Sequence, residues 1–274
     1  MKIPFYKMQG TGNDFIVLNN MELKLSGEEL SDLAKRVCQH RISVGSDAVM
    51  AVDFPENQGD FRMRFYNADG TEAEMCGNGA RCIARYAYEN GIAKEQMVIE
   101  TLAGDVAAWR LDERLYKVQL NQPTTVELDG EFSDAPELTV DYVELGNPGI
   151  PHLVVHYPDL EETDLASIRN LAKALRFWDK LPKGANVNFY DIKNNEIVVR
   201  TFERGVEDFT LACGTGSGST AYILHQRNLI KDNPVSLHVL GGILKVEVLA
   251  EELNLIGDTN IVIEGYIRDE DYTL

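Results

Sequence analysis

Two cysteines of this chain sit in closely similar surroundings. One lies in Glu74-Met75-Cys76-Gly77-Asn78-Gly79-Ala80-Arg81, the other in Leu211-Ala212-Cys213-Gly214-Thr215-Gly216-Ser217-Gly218. Each segment gives an apolar residue, Cys-Gly-x-Gly, small residues and then an apolar-rich stretch. Half of the 274-residue chain separates the two sulfurs, which points to two related halves with one thiol apiece. A thiol with an ordinary pKa of about 8.5 serves as a base once ionised and as an acid while protonated. Glycines beside it let backbone N–H groups approach a ligand closely, and a helix beginning there offers unpaired donors and the positive end of its dipole. A carboxylate held by two such helix ends would place its neighbouring carbon between the sulfurs. One thiolate would remove that carbon's proton while the other thiol delivers a proton to the opposite face. The chemistry is inversion at carbon, with no cofactor and no metal.

The elements that must position these thiols follow from local pattern. Helices are expected to begin at Cys76 and at Cys213. Two more are expected on amphipathic stripes: one opened by Ser26 and Glu29 as a capping box and carrying Leu30, Leu33, Ala34, Val37 and Cys38, the other over Asp164 to Phe177 with Leu165, Ile168, Ala172 and Leu175. Strand signals dominate the remainder. Phe61-Arg62-Met63-Arg64-Phe65-Tyr66 alternates as a half-buried strand does. Hairpins are expected where Val106–Leu111 meets Leu115–Leu120, where Asn188–Ile192 meets Glu196–Phe202, and where Val235–Leu240 meets Ile243–Leu249 through a tight Gly241-Gly242 turn. The fold class is α+β: two pseudo-symmetric domains, each a curled, mostly antiparallel sheet around a central helix. No Pro/Gly/Ser linker separates them, and the boundary is placed near Gln119 to Thr125.

Composition excludes several classes. Hydrophobic residues make up 44% and charged residues 26%, as in ordinary globular proteins. No apolar run reaches the roughly 18 residues a membrane span needs, and the start, Met1-Lys2-Ile3-Pro4-Phe5-Tyr6-Lys7, has no signal-peptide pattern, so a cytoplasmic protein without membrane partners is expected. A net charge of −18 argues against nucleic acid as a partner. The four cysteines do not make a disulfide scaffold in so long a chain, and without a C-x-x-C pair or paired histidines they do not read as a zinc site. Cys38 on its apolar stripe and Cys82, about 600° around the helix from Cys76, read as core.

Several strings resemble one known family. Lys7-Met8-Gln9-Gly10-Thr11-Gly12-Asn13-Asp14-Phe15 resembles the opening signature of diaminopimelate epimerases, and Tyr66 to Cys82 is similar to their central signature. Gly184-Ala185-Asn186-Val187-Asn188-Phe189 resembles a third block, and Glu203-Arg204-Gly205-Val206 with Ala212-Cys213-Gly214-Thr215-Gly216 the second cysteine block. The resemblance implies a pyridoxal-phosphate-independent epimerase interconverting LL- and meso-2,6-diaminopimelate for lysine and cell-wall synthesis. It implies a first domain of residues 1–120 plus a returning C-terminal strand at 264–274, a second of 121–263, and a substrate site in the cleft between them. It makes Cys76 and Cys213 the base and acid, exchanging roles with direction. Gly77, Asn78, Gly214 and Thr215 would offer amides to the reacting carboxylate. Asn67, Glu203 and the Arg204 backbone would hold the reacting ammonium, while Asn13, Asn186 and the Arg204 guanidinium would read the remote end. The implied partner is a small amino acid, in a homodimer.

Departures from that family's pattern concentrate at the remote end. Ser43-Val44-Gly45-Ser46-Asp47-Ala48 lacks a glutamine contact at Ala48. Gly146-Asn147-Pro148-Gly149-Ile150-Pro151-His152 interrupts a Gly-Asn-Pro-His string, so that either Asn147 or His152 takes the site position. Glu207-Asp208-Phe209 stands where the family has Gly-Glu-Thr. The alternatives are therefore a racemase of another amino acid on the same fold, histidine for example, a nucleotide-binding protein using Gly214-Thr215-Gly216-Ser217-Gly218, and a non-enzymatic binding module. The glycine string lacks the Gly-Lys-Ser/Thr that would mark a phosphate loop.

Overall fold

The structure, a computed structural model, describes residues 2–250 and 252–268. The chain divides into two compact units, one formed by the stretches up to Val118 and from Gly257 onward, the other by Gln119–Ile256.

The first unit opens with β1 (Lys2–Gly10) and β2 (Asn13–Asn19), a hairpin with Gly10 opposite Asn13. A one-turn helix α1 (Asn20–Leu23) and α2 (Gly27–Val37) lead to β3 (Ala48–Asp53), which lies parallel to β2. Then come β4 (Phe61–Asn67), β5 (Glu72–Ala73), α3 (Gly77–Glu89), β6 (Gln96–Thr101), β7 (Gly104–Arg110) and β8 (Leu115–Leu120). Helix α2 starts as its sequence requires: Ser26 Oγ accepts the Glu29 N–H at 3.2 Å and the Glu29 carboxylate accepts the Ser26 N–H at 2.7 Å. Its stripe of Leu30, Leu33, Ala34 and Val37 packs on Ile16, Leu18, Val49 and Ala51. Successive strand residues face opposite ways, so Phe15 and Met50 lie on the other face, where Phe15, Met50 and Phe65 press against the Cα of Gly79 in α3. Both faces of β2 and β3 are thus covered by helices, which is why their sequences are unbroken apolar runs.

The second unit also has strands with a helix against each face. It contains β9 (Pro123–Glu131), β10 (Thr139–Leu145), β11 (Ile150–His156), α4 (Leu165–Arg176), β12 (Asn186–Lys193), β13 (Glu196–Glu203), β14 (Asp208–Phe209), α5 (Gly214–Gln226), β15 (Val235–Val239), β16 (Gly242–Val248) and β17 (Leu253–Asp258). Ile168, Ala172 and Leu175 of α4 join Leu153, Val155, Val187, Phe189, Val198 and Phe202 in one core. The alternate residues Asn188 and Thr201 face the other helix, α5, at Gly216. Pairing is mostly antiparallel. The exceptions β2–β3, β4–β6, β11–β12 and β13–β15 are each bridged by a crossover containing a helix, as parallel neighbours demand.

Local pattern misplaced one turn. The β15–β16 hairpin pairs Val239 with Gly242, so its turn is Leu240-Gly241 and not Gly241-Gly242. A final strand, β18 (Asn260–Arg268), pairs with β1 from Gln9↔Asn260 to Lys2↔Arg268. The stretch from Gly257 groups with the first unit, where the resemblance implied a returning strand from residue 264. Residues 269–274 of the expected returning strand lie outside the described residues. No helix among the described residues is long and apolar enough to cross a membrane.

Candidate active site

Cys76 and Cys213 occupy the same structural position, the N-cap of α3 and of α5. Both have extended backbones, φ −135° and ψ 121° at Cys76, φ −116° and ψ 114° at Cys213. Their carbonyls accept the first helical N–H groups, from Ala80 at 2.7 Å and from Ser217 at 2.9 Å. The residues just beyond each cysteine, Gly77 and Asn78 or Gly214 and Thr215, are first-turn positions whose N–H groups have no acceptor inside the helix. These are the donors expected for a carboxylate.

The surroundings of the two thiols differ. Cys76 is partly exposed, and its Sγ donates to Asn13 Oδ1 at 3.4 Å. Asn13 is turned that way because its Nδ2 donates to the Asp47 carboxylate. Asp47 also accepts the Asp14 N–H at 3.1 Å and gives its own N–H to Asp14 Oδ1 at 2.9 Å, while Lys7 pairs with Asp14 at 2.7 Å. Asn13, expected at the remote end, thus has its amide oxygen against the thiol. One turn further on, Arg81 is wholly buried and donates to Thr11 Oγ1 at 3.1 Å. A guanidinium inside a small-residue helix is the signal that sequence reading passed over.

Cys213 is 5% exposed. Its sulfur accepts the Gly216 N–H at 3.4 Å and lies 3.6 Å from Thr215 Oγ1. Burial pushes this thiol well above its ordinary pKa, and the Glu203 carboxylate pushes it further. Glu203 ends β13, so the residue expected to hold an ammonium faces this sulfur electrostatically. The adjoining Arg204 gives its backbone N–H to Asn186 Oδ1 at 2.8 Å, and Asn186 is 5% exposed. Glu203, Arg204, Asn186, Gly214 and Thr215 are therefore gathered with Cys213 in one unit.

Residues 5–126 and 145–262 match the family model described as diaminopimelate epimerase. A diaminopimelate epimerase of Aquifex aeolicus (strain VF5) is 38% identical over 97% of this chain and 98% of that protein. One of Hydrogenobaculum sp. (strain Y04AAS1) is 37% identical over 96% and 98%. The chain belongs to the diaminopimelate epimerase family. It is accordingly an isomerase. Among solved structures, a hydroxyproline epimerase from Agrobacterium vitis superposes with a TM-score of 0.69 at 16% identity, covering 99% of this chain and 94% of that one. A probable proline racemase from Agrobacterium radiobacter K84 gives 0.69 at 17% identity over the same shares. Those likenesses show the shared fold.

Against the diaminopimelate epimerase pattern, the remaining expected residues fall as follows. Asn67 closes a turn, its Nδ2 donating to Thr71 Oγ1 at 3.0 Å and its N–H to the Thr71 carbonyl at 2.9 Å. Asn147 is exposed between β10 and β11, while His152 is fully buried. Burial, and secondarily the Arg204 charge, lower His152 to about 3, so its ring is neutral. Asn188 Nδ2 approaches His152 Nδ1 at 3.2 Å and donates to the Leu153 carbonyl at 2.9 Å, while Asn188 Oδ1 accepts from Thr201 Oγ1 at 2.9 Å. A Cβ on Gly216 would lie 2.2 Å from Asn188 Oδ1, so the second glycine of Cys-Gly-Thr-Gly is fixed by this close approach. Asn188, quoted only within a block, thereby seats the first turn of α5. Cys38 (3% exposed) and Cys82 (fully buried) are core, and burial pushes Cys82 up to about 12.

One prediction arises here. The thiolate is the nucleophile toward iodoacetamide, and each unit of raised pKa cuts its fraction about tenfold. At neutral pH Cys76 should alkylate at least about tenfold faster than Cys213. Because the Cys213 pKa is raised, its alkylation should stay slow until the pH climbs well past the ordinary thiol range. Peptide mass spectrometry on the unliganded protein checks this, and equal rates at both cysteines would refute it.

Proposed function

We propose that the chain interconverts LL- and meso-2,6-diaminopimelate without a cofactor, in the supply of lysine and peptidoglycan precursors. Two thiols carry the reaction, one taking the α-hydrogen as a proton and the other giving a proton to the opposite face, so that no atom or electron is gained or lost. The observation that carries this reading is the placing of Cys76 and Cys213 at equivalent N-caps of two glycine-rich helices. The amides at Gly77, Asn78, Gly214 and Thr215 are assigned to the reacting carboxylate, whose charge grows as the α-carbon loses its proton. Glu203 and Asn67 are assigned to the reacting ammonium. Arg204, whose fork matches a carboxylate, is assigned with Asn186, Asn13 and the Asn147 loop to the remote end. With burial keeping Cys213 protonated, Cys76 is the resting base. The two units are read as pseudo-symmetric repeats, supported by the matching order of crossover helices, α2 then α3 in the first and α4 then α5 in the second.

The test is deuterium uptake at the α-carbon in heavy water under reducing conditions, with diaminopimelate and histidine supplied separately. Exchange with diaminopimelate and none with histidine is expected. Exchange with histidine alone would keep the two-thiol chemistry and replace the substrate. Exchange with neither would overturn the reading.

A further inference from the structure

Helix α4 is tied to the turn that follows Glu203 and Arg204 by two ion pairs. Arg169 and Arg176 stand seven residues apart, close to two helical turns, and so share one face of the helix. Arg169 Nη2 lies 2.6 Å and 2.8 Å from the two oxygens of Asp208. Arg176 donates to Glu207 Oε1 from Nε at 3.2 Å and from Nη2 at 2.8 Å, and the same oxygen accepts the Gly205 N–H at 3.0 Å. The two pairs are not equivalent. The Arg169 side chain is 42% exposed, and exposed pairs contribute little. Arg176 is 7% exposed, where losing the partner strands a buried charge.

Two residues against the Arg176 pair have left-handed backbones. Glu207 adopts φ 58°, a left-handed conformation disfavoured for any residue with a side chain. Gly184 has φ 62°, and a Cβ there would lie 1.8 Å from Arg176 Nη1. Arg176 also reaches the substrate-reading strand through its main chain, since its carbonyl accepts the Ala185 N–H at 3.2 Å. The next residue, Asn186, accepts the Arg204 N–H at 2.8 Å. One arginine thus grips both sides of the Asn186–Arg204 contact, by its carbonyl on one side and by its guanidinium, through Glu207, on the other.

We propose that Arg176, acting through Glu207, is a positioning residue that sets the pose of Arg204 toward the remote end of the substrate. It governs substrate affinity and leaves proton transfer at the sulfurs untouched. This rests on the assignment of Arg204 to the remote carboxylate made above. The test is steady-state kinetics of the full chain with diaminopimelate for Glu207→Gln, Glu207→Gly, Arg176→Met, Arg176→Lys and the Arg176→Met/Glu207→Gln double variant. Each of the first three should raise KM about tenfold with kcat within about threefold, the signature of lost uniform binding. The double variant should be no worse than Arg176→Met, because both changes cut one connection. Arg176→Lys, which keeps charge and loses the fork, should fall between. Should Arg176→Met fail to fold, the Glu207 variants decide alone. An unchanged KM overturns the proposal, as does a fall in kcat together with melting temperature at constant KM, which is what a plain structural brace would give. Additive singles overturn it too. A wild-type chain inactive on diaminopimelate overturns the functional reading and the proposal together; an active wild type with indifferent variants overturns the proposal alone.

Discussion

Cys76→Ala and Cys213→Ala are each expected to lower epimerisation by on the order of 10³-fold or more, because a positioned acid or base contributes about 10²–10⁴-fold and inversion needs one on each face. Folding should survive in both. Cys76 is partly exposed, and Cys213 loses only one sulfur from its packed surroundings. The two losses should differ in kind. With Cys213 gone, the thiolate at Cys76 still removes the hydrogen that faces it, so one epimer exchanges its α-proton with solvent without inverting. With Cys76 gone, exchange should be confined to the other epimer. Proton NMR in heavy water with LL- and meso-diaminopimelate separately measures this. Retention of more than about a tenth of the turnover in either variant would remove that cysteine from the chemistry.

The second large effect is expected at Arg204. Arg204→Lys should raise KM about tenfold and Arg204→Met about a hundredfold, since a bidentate, charge-assisted contact to a carboxylate contributes roughly 1.5–3 kcal/mol. The backbone N–H of residue 204, which Asn186 Oδ1 accepts at 2.8 Å, survives both changes, so the variants report on the guanidinium alone. Lysine keeps the charge and loses the planar fork. Kinetics on diaminopimelate, compared with an amino acid lacking the second head, tests the assignment. Equal loss on both substrates would move Arg204 away from the remote end.

What sequence alone determined about this protein is its local chemistry. Ser26 with Glu29, the stripe Leu30-Leu33-Ala34-Val37 and the helix starts at Cys76 and Cys213 each depend on residues within a turn or two of one another, and each stands where it was read. The two thiols and their glycines were visible for the same reason. Tertiary structure decided everything that depends on distant partners. Asp47 turns the Asn13 oxygen toward Cys76 from 34 residues away, and Asn188 meets Gly216 only because alternate residues of β12 face α5. The burial that protonates Cys213 and neutralises His152 is likewise a property of packing, not of neighbours in the chain. Glu207 shows the contrast most plainly. In the sequence it is a charged residue where the resemblance leads one to expect glycine; in the fold, at φ 58°, its carboxylate accepts from the buried guanidinium of an arginine 31 residues earlier, which leaves that charge paired.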